Sequence, residues 1–260
     1  MIEFRAARVR YPRQSSDAVR DVSFAARAGS VTAVVGPNGS GKSTLVRALL
    51  GRVPLVDGSI AIDGSDTREL RRDDIARRVA VVTQREDPAF PLAVREYVAL
   101  GRLPHHGAWG RDTARDRAAV TEAMERAEVV PLADRTVDQL SGGEWQRVRF
   151  ARALAQGGGA FVADEPTTFL DIGHEMIVFE LMSRLARDGR AVLMVSHQLN
   201  LVARFADHLV LLHAGQVVAA GSVNDVMRAE VLERVYESPL VVTRDPAVGA
   251  PSLVPLRRAP

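Results

Sequence analysis

Eight consecutive residues, Gly36-Pro37-Asn38-Gly39-Ser40-Gly41-Lys42-Ser43, carry the most pointed chemistry in the chain. Their spacing is G-x-x-x-x-G-K-S, the pattern of a P-loop when a strand precedes it and a helix follows. Glycines at these positions let backbone N–H groups turn inward around phosphate oxygens, and the helix N-terminus adds partial positive charge. Lys42 can reach the β- and γ-phosphates, and Ser43 can offer its hydroxyl to Mg²⁺. Thr44–Leu50 then reads as a helix. An ordinary glycine turn before a helix has no need of Lys-Ser, so the stretch is read as a nucleoside triphosphate site.

Four further groups fit around it. Asp164 suits a Mg²⁺ carboxylate working with Ser43. Glu165, next along, can face the γ-phosphate and accept a proton from an attacking water. An Asp-Glu pair at a strand end also serves as a helix N-cap, a reading the upstream loop makes the weaker one. His197 can donate to the γ-phosphate. Gln84 can hold water or Mg²⁺ and shift when phosphate leaves. Leu140-Ser141-Gly142-Gly143-Glu144 is a second helix start of anion-binding type. One triphosphate does not need two helix N-termini from one molecule, whereas two copies placed head to tail would use both. Tyr11 is either a surface aromatic or a face on which a nucleobase stacks.

These groups need a frame. Val31–Val35, Val79–Thr83, Phe161–Ala163 and Ala191–Val195 are short apolar strands alternating with helical segments, which predicts a parallel α/β sheet. Each ends in one of the chemical groups, and open α/β sheets bind ligands at the carboxyl ends of their strands. Ile2–Val9, Val22–Ala26 and Ser59–Ile62 read as further strands. Arg68–Arg78 reads as a charged, solvated helix. Arg85–Asp138 changes character, and residues 85–155 are read as a mainly helical inserted lobe carrying helices over Thr113–Val129 and Glu144–Ala155. Ile177–Ala186 is a helix, and Leu209–Leu212 with Gln216–Ala220 a hairpin. Beyond Glu237 proline and glycine dominate, and only Leu240–Thr243 looks ordered.

With 260 residues and 47% hydrophobic composition the chain can bury a real core. Its formal net charge is +2 and its charges are interspersed, which gives no support to nucleic acid as a partner. It has no cysteine, which excludes disulfides and thiol chemistry. The N-terminus lacks a signal-peptide core, and no run of about 18 apolar residues offers a membrane span. A membrane role would need a separate partner.

The set Gly36–Thr44, Gln84, Leu140–Glu144, Phe161–Glu165, Phe169-Leu170-Asp171 and His197, in that order, resembles the ATP-binding subunit of ABC transporters. The resemblance covers Phe4 to about Met227. It implies an α/β P-loop NTPase with a parallel sheet core, an N-terminal antiparallel β subdomain and a helical signature lobe. On that reading residues 1–236 form the ATPase domain and residues 237–260 a Pro/Gly-rich extension. It further implies ATP and Mg²⁺ as cofactors, with Ser43, Gln84 and Asp164 at the metal and Glu165, His197 and Gln84 at the reaction. Tyr11 would stack on adenine, Ser141, Gly142, Gly143 and Glu144 would serve the partner's γ-phosphate, and the loop of Asp171 would cross the interface. The expected assembly is a homodimer with composite ATP sites beneath integral membrane permease subunits, served indirectly by a substrate-binding protein. Its place would be peripheral, on the cytoplasmic face of the inner (plasma) membrane.

Finer stretches are similar to the importers of ferric siderophores, haem and cobalamin: Val98–His105, Asp164–Ile172 and His197-Gln198-Leu199-Asn200. The chain departs from the common pattern at Gln198, where an acid usually follows the histidine, at Ala163, where a bulkier apolar residue is usual, and at Trp145. An importer of another solute is one alternative. A soluble ABC-type ATPase acting on ribosomes or DNA is another, but such proteins usually carry two motif sets or a long coiled coil. Roughly 55 residues between Gln84 and the signature are too few for that coil. A small-molecule kinase would leave Leu140–Glu144 and His197 unexplained.

Overall fold

The computed structural model describes residues 1–84, 86, 90–106, 110, 112–168 and 170–257. Phe169 of the Phe169-Leu170-Asp171 motif and Arg85, the expected first residue of the inserted lobe, lie outside the described residues.

Strands β1 (Ile2–Val9) and β2 (Val19–Ala26) pair antiparallel, with Phe4 opposite Phe24. Burial in β1 alternates from Ile2 to Phe4 and then slips a residue before Ala7 and Val9. Ala6, at φ 45°, lies in that slip, where the register shifts on both neighbouring strands. Strand β3 (Ser30–Val35) leads into the glycine loop and helix α1 (Lys42–Leu49). Strands β4 (Leu55–Ile62) and β5 (Ser65–Asp66) complete a small sheet in the order β2-β1-β4-β5. Helix α2 (Arg72–Arg78) then precedes β6 (Val79–Val82).

The inserted lobe carries α3 (Val94–Ala99), a 3-10 segment at Leu100–His105, α4 (Ala114–Arg126) and α5 (Gly142–Gln156). Strand β7 (Ala160–Asp164), α6 (Ile172–Arg187), β8 (Ala191–Val195) and α7 (Leu199–Phe205) follow. The chain closes with β9 (His208–His213), β10 (Gln216–Ser222), α8 (Val223–Val226), α9 (Ala229–Tyr236) and a hairpin of β11 (Leu240–Arg244) and β12 (Pro251–Pro255).

The central sheet runs β10-β9-β3-β8-β7-β6. Its strands pair in parallel from β9 through β6, and only β10 is antiparallel. Every residue of β7 and β8 is buried, so these strands read as unbroken apolar runs rather than alternations. Side chains of β7 still divide between two cores. Phe161 and Ala163 join the cluster built from α5, α6 and the inserted lobe, while Ala160 and Val162 join the one shared with α1 and the small sheet.

Several expectations need correction: the helix expected over Arg68–Arg78 begins at Arg72, the strand expected over Ser59–Ile62 begins at Leu55, and the helix expected over Thr113–Val129 ends at Arg126. Leu209–Leu212 does more than form a hairpin, because β9 extends the parallel sheet beside β3. The helix expected over Ile177–Ala186 starts at Ile172, where the Asp171 side chain accepts from the His174 N–H and caps it. Beyond Glu237 the ordered part is a hairpin, not Leu240–Thr243 alone. Prolines at both ends of β12 hid it, and proline is tolerated at strand ends and edges. The hairpin is fastened to α7: the Asn200 side chain donates to the Leu253 carbonyl at 3.1 Å and accepts from its N–H at 2.7 Å. Arg204 pairs with Asp245 at 2.5 Å.

A buried ion pair ties the 3-10 segment of the inserted lobe to α4. Arg102 Nε donates to Asp116 at 2.8 Å, and the Thr113 hydroxyl donates to the same carboxylate at 2.6 Å. The bonds from Thr113 and then Arg102 hold the Asp116 carboxyl well below the usual range. A depressed folded pKa stabilises above the unfolded value near 4 and stops doing so as pH falls through the folded one. Asp116→Asn is therefore expected to lose about 1–3 kcal/mol at pH 7. Urea melts should show its gap to wild type full at pH 7 and narrowing below about pH 4.

Candidate active site

The P-loop leaves β3 at Gly36 and enters α1 at Lys42. Gly36 has φ 147°, and a Cβ there would lie 2.1 Å from the Leu212 carbonyl oxygen of β9. Gly41, at φ 103°, precedes α1 and supplies no side-chain cap, so the first N–H groups of the helix stay available to an anion. Lys42 Nζ donates to the Gly36 and Pro37 carbonyls at 2.9 and 3.0 Å. Burial pushes its ammonium below the ordinary value, and the charges of Glu165 and Asp164 pull it back.

Ser43 Oγ donates to Asp164 Oδ1 at 3.1 Å, joining the first turn of α1 to the end of β7. Burial raises the Asp164 carboxyl, against the lowering effect of the Ser43 bond. A hydroxyl, a carboxylate and the nearby Gln84 amide oxygen are the hard oxygen donors that Mg²⁺ takes. Asp164 and Glu165 also place two carboxylates against the single ammonium of Lys42. Donor set and charge both fit a divalent cation.

Glu165 is buried and sits at φ 49°, in the left-handed region. Such a backbone costs of order 1–3 kcal/mol for a residue other than glycine. It is held there by a bond from its N–H to the Val195 carbonyl at 2.9 Å. His197 Nδ1 lies 2.5 Å from Glu165 Oε2, so the imidazole donates to the carboxylate. A cavity of about 520 Å³ opens over the loop, walled by Tyr11, Gln14, Ala18, Asn38–Thr44, Gln84 and Glu165. Tyr11 stands at its edge. Its hydroxyl accepts from Arg47 at 3.0 Å and lies 3.1 Å from the Thr44 hydroxyl.

The second helix start stands apart. Ser141, Gly142, Gly143, Glu144 and Asp171 are absent from the wall of that cavity. Ser141 and Glu144 satisfy each other as a capping box: Ser141 N–H donates to Glu144 Oε2 at 2.8 Å, and Glu144 N–H to Ser141 Oγ at 3.3 Å. These bonds from Ser141 keep the Glu144 carboxyl low. Gly143 abuts His174, whose ring would be 2.4 Å from an added Cβ, and His174 bonds Asp171 at 2.8 Å. Ser141 and Asp171 are both exposed.

Two features escaped the sequence reading. Gln14 and Ala18 line the nucleotide cavity, and neither carries a motif that marks it in the sequence. Gln198 is matched to Glu175: its amide N–H donates to that carboxylate while its oxygen accepts from the Thr167 hydroxyl at 3.2 Å. An acid at position 198 would set two carboxylates face to face. A further cavity of about 580 Å³ lies between His197, α7 and the C-terminal hairpin, away from the glycine loop.

The chain is similar to known proteins. The family model for ABC transporter matches residues 19–168. The chain is 40% identical over 231 residues to the ferric enterobactin transport ATP-binding protein FepC of Escherichia coli (strain K12), spanning 88% of this chain and 85% of that one. It is 42% identical over 238 residues to the hemin import ATP-binding protein HmuV of Nocardia farcinica (strain IFM 10152), covering 91% and 81%. Among solved structures it matches the dimeric structure of MJ0796, a bacterial ABC transporter cassette, with TM-score 0.73 and 28% identity over 86% of this chain and 99% of that one.

Gly36→Ala tests the close approach of loop and sheet. Its Cβ would meet backbone, which cannot swing aside, so the variant is expected to weaken ATP binding at least about tenfold and to lose at least about 1 kcal/mol of stability. Nucleotide titration and a urea melt measure both.

Proposed function

The chain belongs to the ABC transporter family as an ATP-binding subunit, and on that premise we propose that it is the ATP-hydrolysing motor of an importer for a metal chelate. The observation that carries this is the 3.1 Å bond between Ser43 and Asp164, with Glu165 adjoining and in contact with His197. The P-loop, a carboxylate pair and an imidazole thus meet at one edge of one sheet. The solute class is supported by likeness to proteins named for ferric enterobactin and hemin.

The residues divide the work by chemistry. Gly36–Thr44 hold the triphosphate, with Lys42 turning from its two carbonyls to the β- and γ-oxygens, and Tyr11 lies beneath the base. Ser43, Gln84 and Asp164 would hold Mg²⁺, which when bound neutralises charge on the phosphate oxygens. Glu165 takes the proton from the attacking water, His197 steadies the γ-phosphate, and Gln84 reports its loss. Most of the rate enhancement comes from positioning and from fixed charge aimed at the transferring group.

Ser141–Glu144 and Asp171 serve the nucleotide of a second copy. The exposure of Ser141, Gly142 and Asp171 and the absence of all five residues from the cavity wall support a head-to-tail homodimer, as does likeness to a cassette solved as a dimer. No helix among the described residues is long and apolar enough to cross a membrane; likeness to import ATP-binding proteins supports a motor that acts through permease subunits at the cytoplasmic face. Phe90 and Leu103, 71% and 58% exposed on the inserted lobe, offer apolar area for that contact. Residues 1–236 make up the ATPase unit and 237–260 its extension.

Glu165→Gln is the direct check on the base. An amide cannot take the proton, so phosphate release should fall at least about 100-fold while ATP still binds and a closed dimer accumulates. Undiminished turnover would remove Glu165 from the role.

A further inference from the structure

Trp145 stands out among the departures from the common pattern, and the structure supplies its partner. Its indole N–H donates to the Glu86 carbonyl at 3.2 Å, and its ring packs on Tyr97 with centroids 4.7 Å apart. The Glu86 carboxylate is gripped more firmly still. Arg152 Nη1 and the Tyr97 hydroxyl both donate to Oε1 at 2.7 Å, and Arg149 Nε lies 3.7 Å from Oε2. Trp145, Arg149 and Arg152 share one stripe of α5, at i, i+4 and i+7.

The same stripe holds the end of β6. Arg149 donates to the Thr83 carbonyl, and Arg152 to the Val81 carbonyl at 3.3 Å. Gln146, itself bonded by Arg149 at 2.6 Å, donates to the Pro166 carbonyl just beyond Glu165. Residues on both sides of Gln84 are therefore fastened to the helix that begins at Ser141, while Gln84 itself is exposed on the nucleotide cavity. Glu86 is the anion of this junction. Without it two guanidinium groups would face each other around an aromatic pair.

We propose that Glu86 is a positioning residue for ATP turnover, tying the segment that carries Gln84 to α5 so that a shift of Gln84 at the phosphate site moves the Ser141 helix start with it. The proposal rests on the functional reading above. Nucleotide binding at the P-loop does not depend on this tie, but assembly of the site shared between two copies does. The tie therefore acts on kcat and leaves KM alone.

The test uses the full chain in a Trp109→Phe background, which leaves Trp145 as the one remaining tryptophan of the two. Glu86→Ala is expected to lower kcat about tenfold with KM and the affinity for a fluorescent ATP analogue within about twofold. Trp145 should become open to acrylamide quenching and lose its response to ATP. Glu86→Gln, which keeps an acceptor oxygen for Tyr97 and Arg152, should recover part of kcat. Should Glu86→Ala fail to fold, Trp145→Phe decides: it keeps an aromatic ring against Tyr97, loses the N–H along with one ring of the indole, and should lower kcat about threefold at unchanged KM. Wild-type kcat in the variant that folds overturns the proposal, and so does a loss of nucleotide affinity in step with kcat, which marks a merely structural role. If the wild-type chain does not hydrolyse ATP, the functional reading fails and the proposal with it. Hydrolysis by wild type with no deficit in the variants sinks the proposal alone.

Discussion

The site depends on holding a hydroxyl from the first turn of α1 and a carboxylate from the end of β7 3.1 Å apart. The two strands behind them, β3 and β7, are not neighbours, because β8 lies between them. A parallel sheet meets this demand. It brings the carboxyl ends of β3, β8, β7 and β6 to one edge, where the glycine loop, His197, Asp164-Glu165 and Gln84 emerge. Burial of both faces of β7 and β8 fixes the height of those ends, since a slip in pairing would drag fully packed strands out of register.

Charge at that edge is unbalanced. Burial alone disfavours both the Asp164 carboxylate and the Lys42 ammonium, and their attraction only partly offsets it. Glu165 adds a second acid on a left-handed backbone, stored strain of a kind that persists where surrounding structure over-determines it. Here that structure is the Val195 carbonyl and the His197 ring. On the proposed function, a magnesium nucleotide would bring a divalent cation to the acids and phosphates to the lysine and so relieve both groups.

Much of this was legible in the residues themselves. The G-x-x-x-x-G-K-S loop, the four apolar strands and the polar residue closing each are local signals, and the structure places them as expected. Less visible was anything set by distant packing. Leu209–Leu212 carries no mark that distinguishes a hairpin strand from one joining the parallel sheet beside β3. Pro251 and Pro255 suggested disorder where they bound a strand, because Asn200, some fifty positions away, supplies the pairing that steadies it. Gln198 looked like a missing acid until Glu175 appeared across from it. Glu86 gave no signal at all, its meaning residing in Tyr97 of α3 and in three side chains of α5 some sixty positions further along the chain.

On the proposed function, the exposed helix start at Ser141, which is absent from the wall of its own chain's nucleotide cavity, serves a second copy. Its capping box is complete within the chain, so this helix start is formed without a partner. The most direct measurement is ATP turnover by Ser141→Arg, alone and mixed with Lys42→Ala. In the mixed dimer one site has both its P-loop and its helix start intact, and the other has neither. A composite site predicts that each variant is inactive alone and that activity returns on mixing. Wild-type turnover by Ser141→Arg alone, first order in enzyme concentration, would contradict it.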